Sequence, residues 1–335
     1  MRYLFELSKE HKTLPKAEVL ACLRAEKIDG RIIVSNKDVL IIKTDCKEEK
    51  IKRLADRLSF TFFIDEFLFS CSTHIKDIIK RAQDHTVEKK GSIAIKYKNR
   101  SNTVDSQPIL QELAEIYSKH RNVNLENPNI EIRGLITDSN VYVGIKTAEI
   151  NRSQFEERKV QHRPFFSPIS LHPKLARALV NLSSIKKDEI LLDPFCGTGG
   201  ILIEAGLNNI KVIGSDIEYK MIEGSRKNLD FYKIKSYELY HSDIGDITKY
   251  VKKVDSVVTD LPYGKSTTTK GEKKDKLYER AFKNISGVLK KKGRAVIGLS
   301  KKDMISVGEK HLSLVETHEF IAHRSLTRYF AVYEK

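Results

Sequence analysis

The sequence predicts an α/β protein whose C-terminal half is built on a parallel sheet, with two smaller α/β units before it. Three observations carry this prediction. From Leu171 onward, apolar runs of strand length alternate with helical stretches, the pattern of strands joined through helices. Two segments, Asp193-Pro194-Phe195-Cys196-Gly197-Thr198-Gly199-Gly200 and Asp260-Leu261-Pro262-Tyr263-Gly264, each close an apolar strand. Residues 1–70 read strand–helix–strand–strand–helix–strand, the order of a ferredoxin-like unit.

Element by element, Tyr3–Leu7 reads as a strand, and Leu14–Glu26 as a helix with Leu14, Val19, Leu20 and Leu23 on its apolar face. Arg31–Val34 and Val39–Ile42 form a hairpin turning at Asn36-Lys37-Asp38. A charged helix, Lys47–Leu58, and an aromatic strand, Phe60–Phe69, complete the first unit. In residues 71–150, Ile75, Ile78, Ile79 and Ala82 mark a helix, Ile93–Ile95 a strand, and Ile109, Leu110, Leu113 and Ile116 a second helix. Two strands follow, Ile130–Ile136 and Val141–Ile145. Residues 151–170 are polar and interrupted by Pro164 and Pro168, and read as a linker. In 171–335 the candidate strands are 189–193, 210–215, 236–240, 254–259, 293–299, 313–323 and 328–334, the last two a hairpin.

The chain has 335 residues and a net charge of +15, spread along its length, which favours a polyanionic partner over a neutral one. No apolar stretch is long enough to span a membrane, so no membrane partner is expected. Cys22, Cys46, Cys71 and Cys196 are scattered without a Cys-x-x-Cys pair, which argues against a zinc site or a disulfide framework. No metal is expected, and with no signal-peptide pattern at the start the expected location is cytoplasmic.

The two motifs carry the chemistry. Small residues after Asp193 let a ligand lie against the backbone, where amides at a helix start favour a negative group. The second motif offers a carboxylate, backbone carbonyls and an aromatic face at the same end of the sheet, where ligands bind in open α/β folds. In this order the pair resembles the class I S-adenosylmethionine-dependent methyltransferases that methylate amino groups, with a Rossmann-like seven-stranded sheet. The resemblance implies S-adenosylmethionine as cofactor and the following placements. The turn with Asp193, Phe195, Gly197 and Gly199 would receive the amino-acid end. Asp216, at the end of the next strand, would hold the ribose diol, with Ile217 packed on the adenine. Asp243 would accept from the adenine amine beside Ile244, and its other reading is a turn or cap residue. Asp260 and the Leu261 carbonyl would accept the two protons of a planar amine, Pro262 would fix the turn, and Tyr263 would stack on the flipped base. Cys196 reads as a packing residue inside the turn.

The βαββαβ start, the segment Asn127-Pro128-Asn129-Ile130-Glu131-Ile132-Arg133, the stretch from His162 to Arg177 and the two motifs together resemble the archaeal tRNA (guanine-10, N2)-methyltransferases. That likeness implies a ferredoxin-like domain at 1–70, a THUMP-type RNA-binding domain at 71–150, a linker at 151–170 and the methyltransferase domain at 171–335. A βαβ-type accessory domain without an RNA role has the same periodicity as the second of these. The family likeness further implies that Phe166, Ser167 and Pro168 pack over the methionine end of the cofactor, and that tRNA is the partner. It also admits a small activating protein subunit. Leu261 stands where the family commonly has proline; the acceptor there is a backbone carbonyl, so the chemistry is kept. Lys96, Lys98 and Arg100, on alternate positions of one strand, are candidate phosphate contacts or a solvated face. Lys265 opens a basic loop beside the site, read as a lid on RNA or as plain surface. The product would be N2-methyl- and N2,N2-dimethylguanosine. Rival readings are another amino methyltransferase (a different guanine in tRNA or rRNA, or adenine N6) and a non-catalytic tRNA-binding protein. Removing residues 1–150 is expected to abolish tRNA activity and leave the cofactor site folded.

Overall fold

The computed structural model describes residues 1–167, 170–262, 273–323 and 326–335. It divides into an N-terminal unit (1–9, 28–55 and 61–150) and a C-terminal unit (10–27, 56–60 and 151–335).

The N-terminal unit holds β1 (Arg2–Leu7), β2 (Arg31–Ser35), β3 (Val39–Lys43), β4 (Thr61–Ser72), β5 (Ile93–Asn99), β6 (Ile130–Ile136) and β7 (Asn140–Glu149). They form one sheet in the order β2-β3-β1-β4-β7-β6-β5. The first four are antiparallel in the ferredoxin-like order read from the sequence. The aromatic run of β4 extends to 12 residues and pairs with β1 on one edge and β7 on the other. The sheet therefore runs on through residue 70, where a domain boundary was expected. Helices Ile75–Asp84 and Gln107–Ser118 cover its second half through Ile78, Ala82, Ile109 and Leu113.

The C-terminal unit holds β8 (Ile190–Asp193), β9 (Lys211–Asp216), β10 (Tyr237–His241), β11 (Val254–Asp260), β12 (Leu289–Leu299), β13 (Ser313–His323) and β14 (Leu326–Glu334). All seven expected strands appear, within four residues at any end. Their order is β10-β9-β8-β11-β12-β14-β13, with β8 to β12 parallel and β14 antiparallel to both neighbours. The chain winds outward from β8 through β9 to β10, then restarts at β11 on the other side of β8. Such a reversal opens a crevice at the C-terminal ends of the two central strands.

Helix Leu14–Ala25, read from the sequence as part of the ferredoxin-like unit, instead packs in the C-terminal unit with residues 56–60. Leu14, Ala17, Ala21 and Phe60 join the core of Leu175, Leu179 and Leu182. The fully buried Glu18 carboxylate accepts hydrogen bonds from Ser59 N at 3.0 Å, Ser59 Oγ at 2.6 Å, Phe60 N at 2.8 Å and Asn181 Nδ2 at 2.9 Å. Four donors offset much of the cost of burying that carboxyl, whose pKa burial still drives upward. A fragment starting at residue 151 would lose this helix and expose its seat, which corrects the expectation that removing 1–150 leaves the cofactor site intact.

Candidate active site

Both motifs arrive at the crevice because β8 and β11 are hydrogen-bonded neighbours that end in Asp193 and Asp260. After β8 the chain turns through Gly197 (φ +50°) and Gly199 (φ +78°) into the helix Gly200–Gly206. At Gly199 a Cβ would stand 2.4 Å from Ser225 Oγ, so both the backbone angle and the close approach demand glycine. At Gly197 a Cβ would meet nothing within 4 Å among the described residues. The turn thus opens onto free space, as a backbone that receives a ligand must.

Three aspartates surround this turn. Asp193 is buried, and its Oδ1 accepts from Thr259 Oγ1 at 2.7 Å and Phe195 N at 3.2 Å. Burial pushes its carboxyl up to about 7 against those two bonds, with the charges of Asp216 and Asp260 adding to the rise. Asp216, at the end of β9, accepts from Gly197 N and Glu218 N, both at 3.0 Å, and burial raises its carboxyl too. It therefore braces the glycine turn as well as facing the crevice. At the end of β11, Asp260 Oδ2 accepts from Arg328 Nη1 at 2.9 Å, while Oδ1 is buried without a hydrogen-bond partner among the described residues. Burial lifts this carboxyl to about 6 and Arg328 pulls it back. The next residues are pinned: Leu261 N donates to Gly298 O at 3.0 Å, and Tyr278 Oη donates to Pro262 O at 3.1 Å.

The stretch before the core is fastened to the same turn. Asn228 is fully buried; its Oδ1 accepts from Phe165 N at 2.9 Å, and its Nδ2 donates to Phe165 O at 2.7 Å and Thr198 O at 2.9 Å. Ser170 Oγ lies 3.1 Å from Thr198 Oγ1 and donates to Ser167 O at 3.1 Å. Ser167 is thereby tied to the glycine turn, and Phe166 beside it is 60% exposed.

The structure gathers Asp193, Phe195, Gly197, Gly199, Asp216 and Asp260 with Leu261 and Pro262 at one sheet end. Ile217 is half-buried next to Asp216, and its carbonyl oxygen lies 2.9 Å from His241 Nε2. Asp243 caps the turn after β10 by accepting from Gly245 N at 2.7 Å, and it pairs with Arg280. Its turn role is thus present alongside any cofactor role, and Ile244 is buried in the core beneath. Pro168, Tyr263 and Lys265 lie outside the described residues.

Among the RNA candidates, Lys98 is exposed and Lys96 is half-exposed beside Glu131 at 3.0 Å. Arg100 is a correction. It follows β5 and turns inward: Nη2 donates to Glu6 Oε1 at 2.7 Å, and Nη1 to Leu7 O at 2.9 Å and Asp38 Oδ1 at 3.1 Å. A buried guanidinium so engaged is a structural brace, with no face for phosphate. Sequence reasoning also missed Thr259, Asn228, Arg280 and Arg328. Only Arg328 carried a local signal, as a charge just before the apolar run Phe330-Ala331-Val332 of its strand.

Comparison with known proteins agrees with this geometry. A family described as RMKL-like, methyltransferase domain, matches residues 161–329, and one described as DNA methylase matches residues 19–227. The chain is 35% identical over 338 residues to the tRNA (guanine(10)-N2)-dimethyltransferase of Methanothermobacter thermautotrophicus, covering all of both. It is 29% identical over 358 residues to the enzyme of that name from Methanocaldococcus jannaschii, covering 99% of each. The crystal structure of TrmN from Thermus thermophilus superposes over both full chains with a TM-score of 0.57 at 17% identity, a likeness of fold. With a full-length relative at this identity and both motifs meeting in one crevice, the chain belongs to the tRNA (guanine(10)-N2)-dimethyltransferase family.

Proposed function

We infer that this protein transfers methyl groups from S-adenosylmethionine to the exocyclic N2 of guanine at position 10 of tRNA. The observation that carries it is the meeting of the glycine turn and the Asp260 motif at one crevice, in a chain matching a tRNA (guanine(10)-N2)-dimethyltransferase from end to end.

The free space over Gly197 and the three clustered aspartates fit the cofactor. Asp193 and the turn Phe195–Gly199 would hold its amino-acid end, Asp216 its ribose diol, and Ile217, Asp243 and Ile244 its adenine. Phe166, Ser167 and Pro168 would cover the methionine end. When bound, S-adenosylmethionine supplies an electrophilic methyl on a cationic sulfur. The chain's own residues prepare the acceptor. An exocyclic amine is a poor nucleophile because its lone pair is delocalised into the ring. Asp260 and the Leu261 carbonyl accept hydrogen bonds from its two N–H groups, which turns the lone pair outward and stabilises the positive charge growing on nitrogen. Transfer leaves the thioether and a cationic nitrogen that gives one proton to the Asp260 carboxylate, which passes it to solvent; a single N–H then remains, and one of the two acceptors suffices to orient it for a second methyl. Tyr263 would stack on the base taken from its helix. The N-terminal unit, read as THUMP-type, would hold the 3′ end of tRNA, with Lys96, Lys98 and Lys265 near phosphates.

The match to a DNA methylase family favours a second reading, methylation of adenine N6. Purified protein, S-adenosylmethionine and unmodified tRNA transcript, followed by nucleoside mass spectrometry, separate the two. N2-methylguanosine that disappears when guanine-10 is replaced supports the tRNA guanine assignment. Methyladenosine supports the second reading, and cofactor binding without product on any RNA points to a tRNA-binding role or a missing activating subunit.

A further inference from the structure

We propose that Arg328 is a positioning residue for methyl transfer, holding the Asp260 carboxylate in one orientation and in its charged form. The inference rests on the role given to Asp260 above and assigns a second group to it.

The geometry is specific. Arg328, on β14, and Asp260, on β11, come from strands separated by β12, and both side chains are largely buried. Nη1 of Arg328 donates to Asp260 Oδ2 at 2.9 Å. The other oxygen, Oδ1, lies over Gly298 of β12, where a Cβ would stand 2.2 Å away. Any side chain at position 298 would push the carboxylate out of this rotamer. One oxygen is thus held by a guanidinium and the other is seated on a bare backbone. Oδ2 accepts one bond from Arg328 and keeps lone-pair capacity for an amine, since a carboxylate has about four acceptor sites in all.

The same geometry decides the charge. Asp193 faces the site from β8 and Asp216 from β9, both acidic. The helix Lys274–Val288 contributes the Tyr278 phenol, and β14 contributes Arg328. Of the groups in this set, Arg328 is the cation. Without it, burial beside two further carboxyls would favour the protonated acid, which offers an O–H donor where the amine needs an acceptor. Burial already lifts Asp260 to about 6 with Arg328 in place.

The test uses Arg328→Gln and Arg328→Lys in the full chain. Single-turnover methylation of tRNA at saturating cofactor is followed from pH 5 to 9, and cofactor affinity by calorimetry. Arg328→Gln is expected to lower the rate at pH 7 by about tenfold or more, to move the acid limb up by about one pH unit, and to recover toward alkaline pH. Arg328→Lys, which keeps the charge and loses the planar fork, should restore most of the limb and less of the rate. Cofactor affinity should stay within about threefold. An unmoved acid limb, or a loss uniform across pH, would overturn the proposal. A readout free of catalysis separates this outcome from failure of the methyl-transfer reading. The carboxyl carbon of Asp260, labelled with ¹³C and assigned with Asp260→Asn, should titrate higher in Arg328→Gln than in the parent, whatever the substrate. Equal titration in both, with both folded, refutes the role of Arg328 even if the parent methylates tRNA. If Arg328→Gln does not fold, the same comparison is made with Arg328→Lys, where an acid limb and a titration both identical to the parent with full rate would equally refute it.

Discussion

Two sets of buried carboxylates, one in each unit, are built on opposite plans. In the N-terminal sheet each stands against cations. Glu6 meets Arg100 and Arg133, both at 2.7 Å; Asp38 meets Arg100 and Lys9, both at 3.1 Å; Glu131 meets Lys96 and Lys146, both at 3.0 Å. Asp65 faces Arg133 at 3.4 Å, and the Arg133 guanidinium also lies 3.2 Å above the Phe63 ring. At the end of the C-terminal sheet, Asp193 and Asp216 are held by a hydroxyl and backbone amides, and Asp260 is paired with Arg328. The carboxylates of the N-terminal sheet are neutralised by cations within the fold. The carboxyls at the crevice outnumber the arginine paired with them, and the negative charge they carry when ionised suits a cationic ligand.

Breaking the paired set should have the largest effect. Arg133→Met strands Asp65 in the sheet, leaves Glu6 with Arg100 alone, and is expected to cost about 3–5 kcal/mol, read from urea unfolding. Cofactor affinity measured on the folded protein should be unchanged, and a cost below about 1 kcal/mol would erase the distinction drawn between the two sets. Asp260→Ala comes next: methyl transfer should fall about 10²-fold or more while calorimetry still finds the cofactor bound, and near-normal turnover would remove Asp260 from the chemistry. Asn228→Ala unfastens Phe165 from the glycine turn. It should weaken cofactor binding about tenfold with a smaller change in the rate at saturation, and a loss confined to the rate would deny that the strap serves binding.

Asp193→Asn should act most gently and in the opposite direction. Because the folded carboxyl sits near 7, above its ordinary value, its contribution to stability is full at low pH and is lost as pH rises through 7. Asparagine cannot ionise, so above pH 7 the variant should be more stable by about 1 kcal/mol, after its unpaired amide N–H offsets part of the gain. That advantage should vanish below about pH 4, and thermal melts at pH 4 and pH 8 make the comparison. A variant less stable at pH 8 would show that the ionised aspartate is not held at a cost.

Features written in neighbouring residues were legible before the structure, and features made by distant ones were not. The glycine turn, the strand ends at Asp193 and Asp260, and the terminal hairpin each follow from a short run of residues. Nothing near Asn228 in sequence marks Phe165 and Thr198 as its partners. The donors to Glu18 come from residues 59, 60 and 181, which no local pattern around it marks. Arg100 misled for a related reason. Alternation along β5 places it with Lys98, but it stands one residue past the strand, and its long stem reaches Glu6 and Asp38.

The helix Leu14–Ala25 also sets an order of events during synthesis. It leaves the ribosome long before Leu175, Leu179 and Asn181, which seat it, have been made. At about 5–20 residues per second the wait is on the order of ten seconds. Throughout it the apolar face and the Glu18 carboxyl have no home, so the C-terminal core closes last, around a piece of chain made first. Exchanging the N-terminal unit between relatives therefore calls for a graft in three pieces, 1–9, 28–55 and 61–150, that leaves this helix with the core it completes.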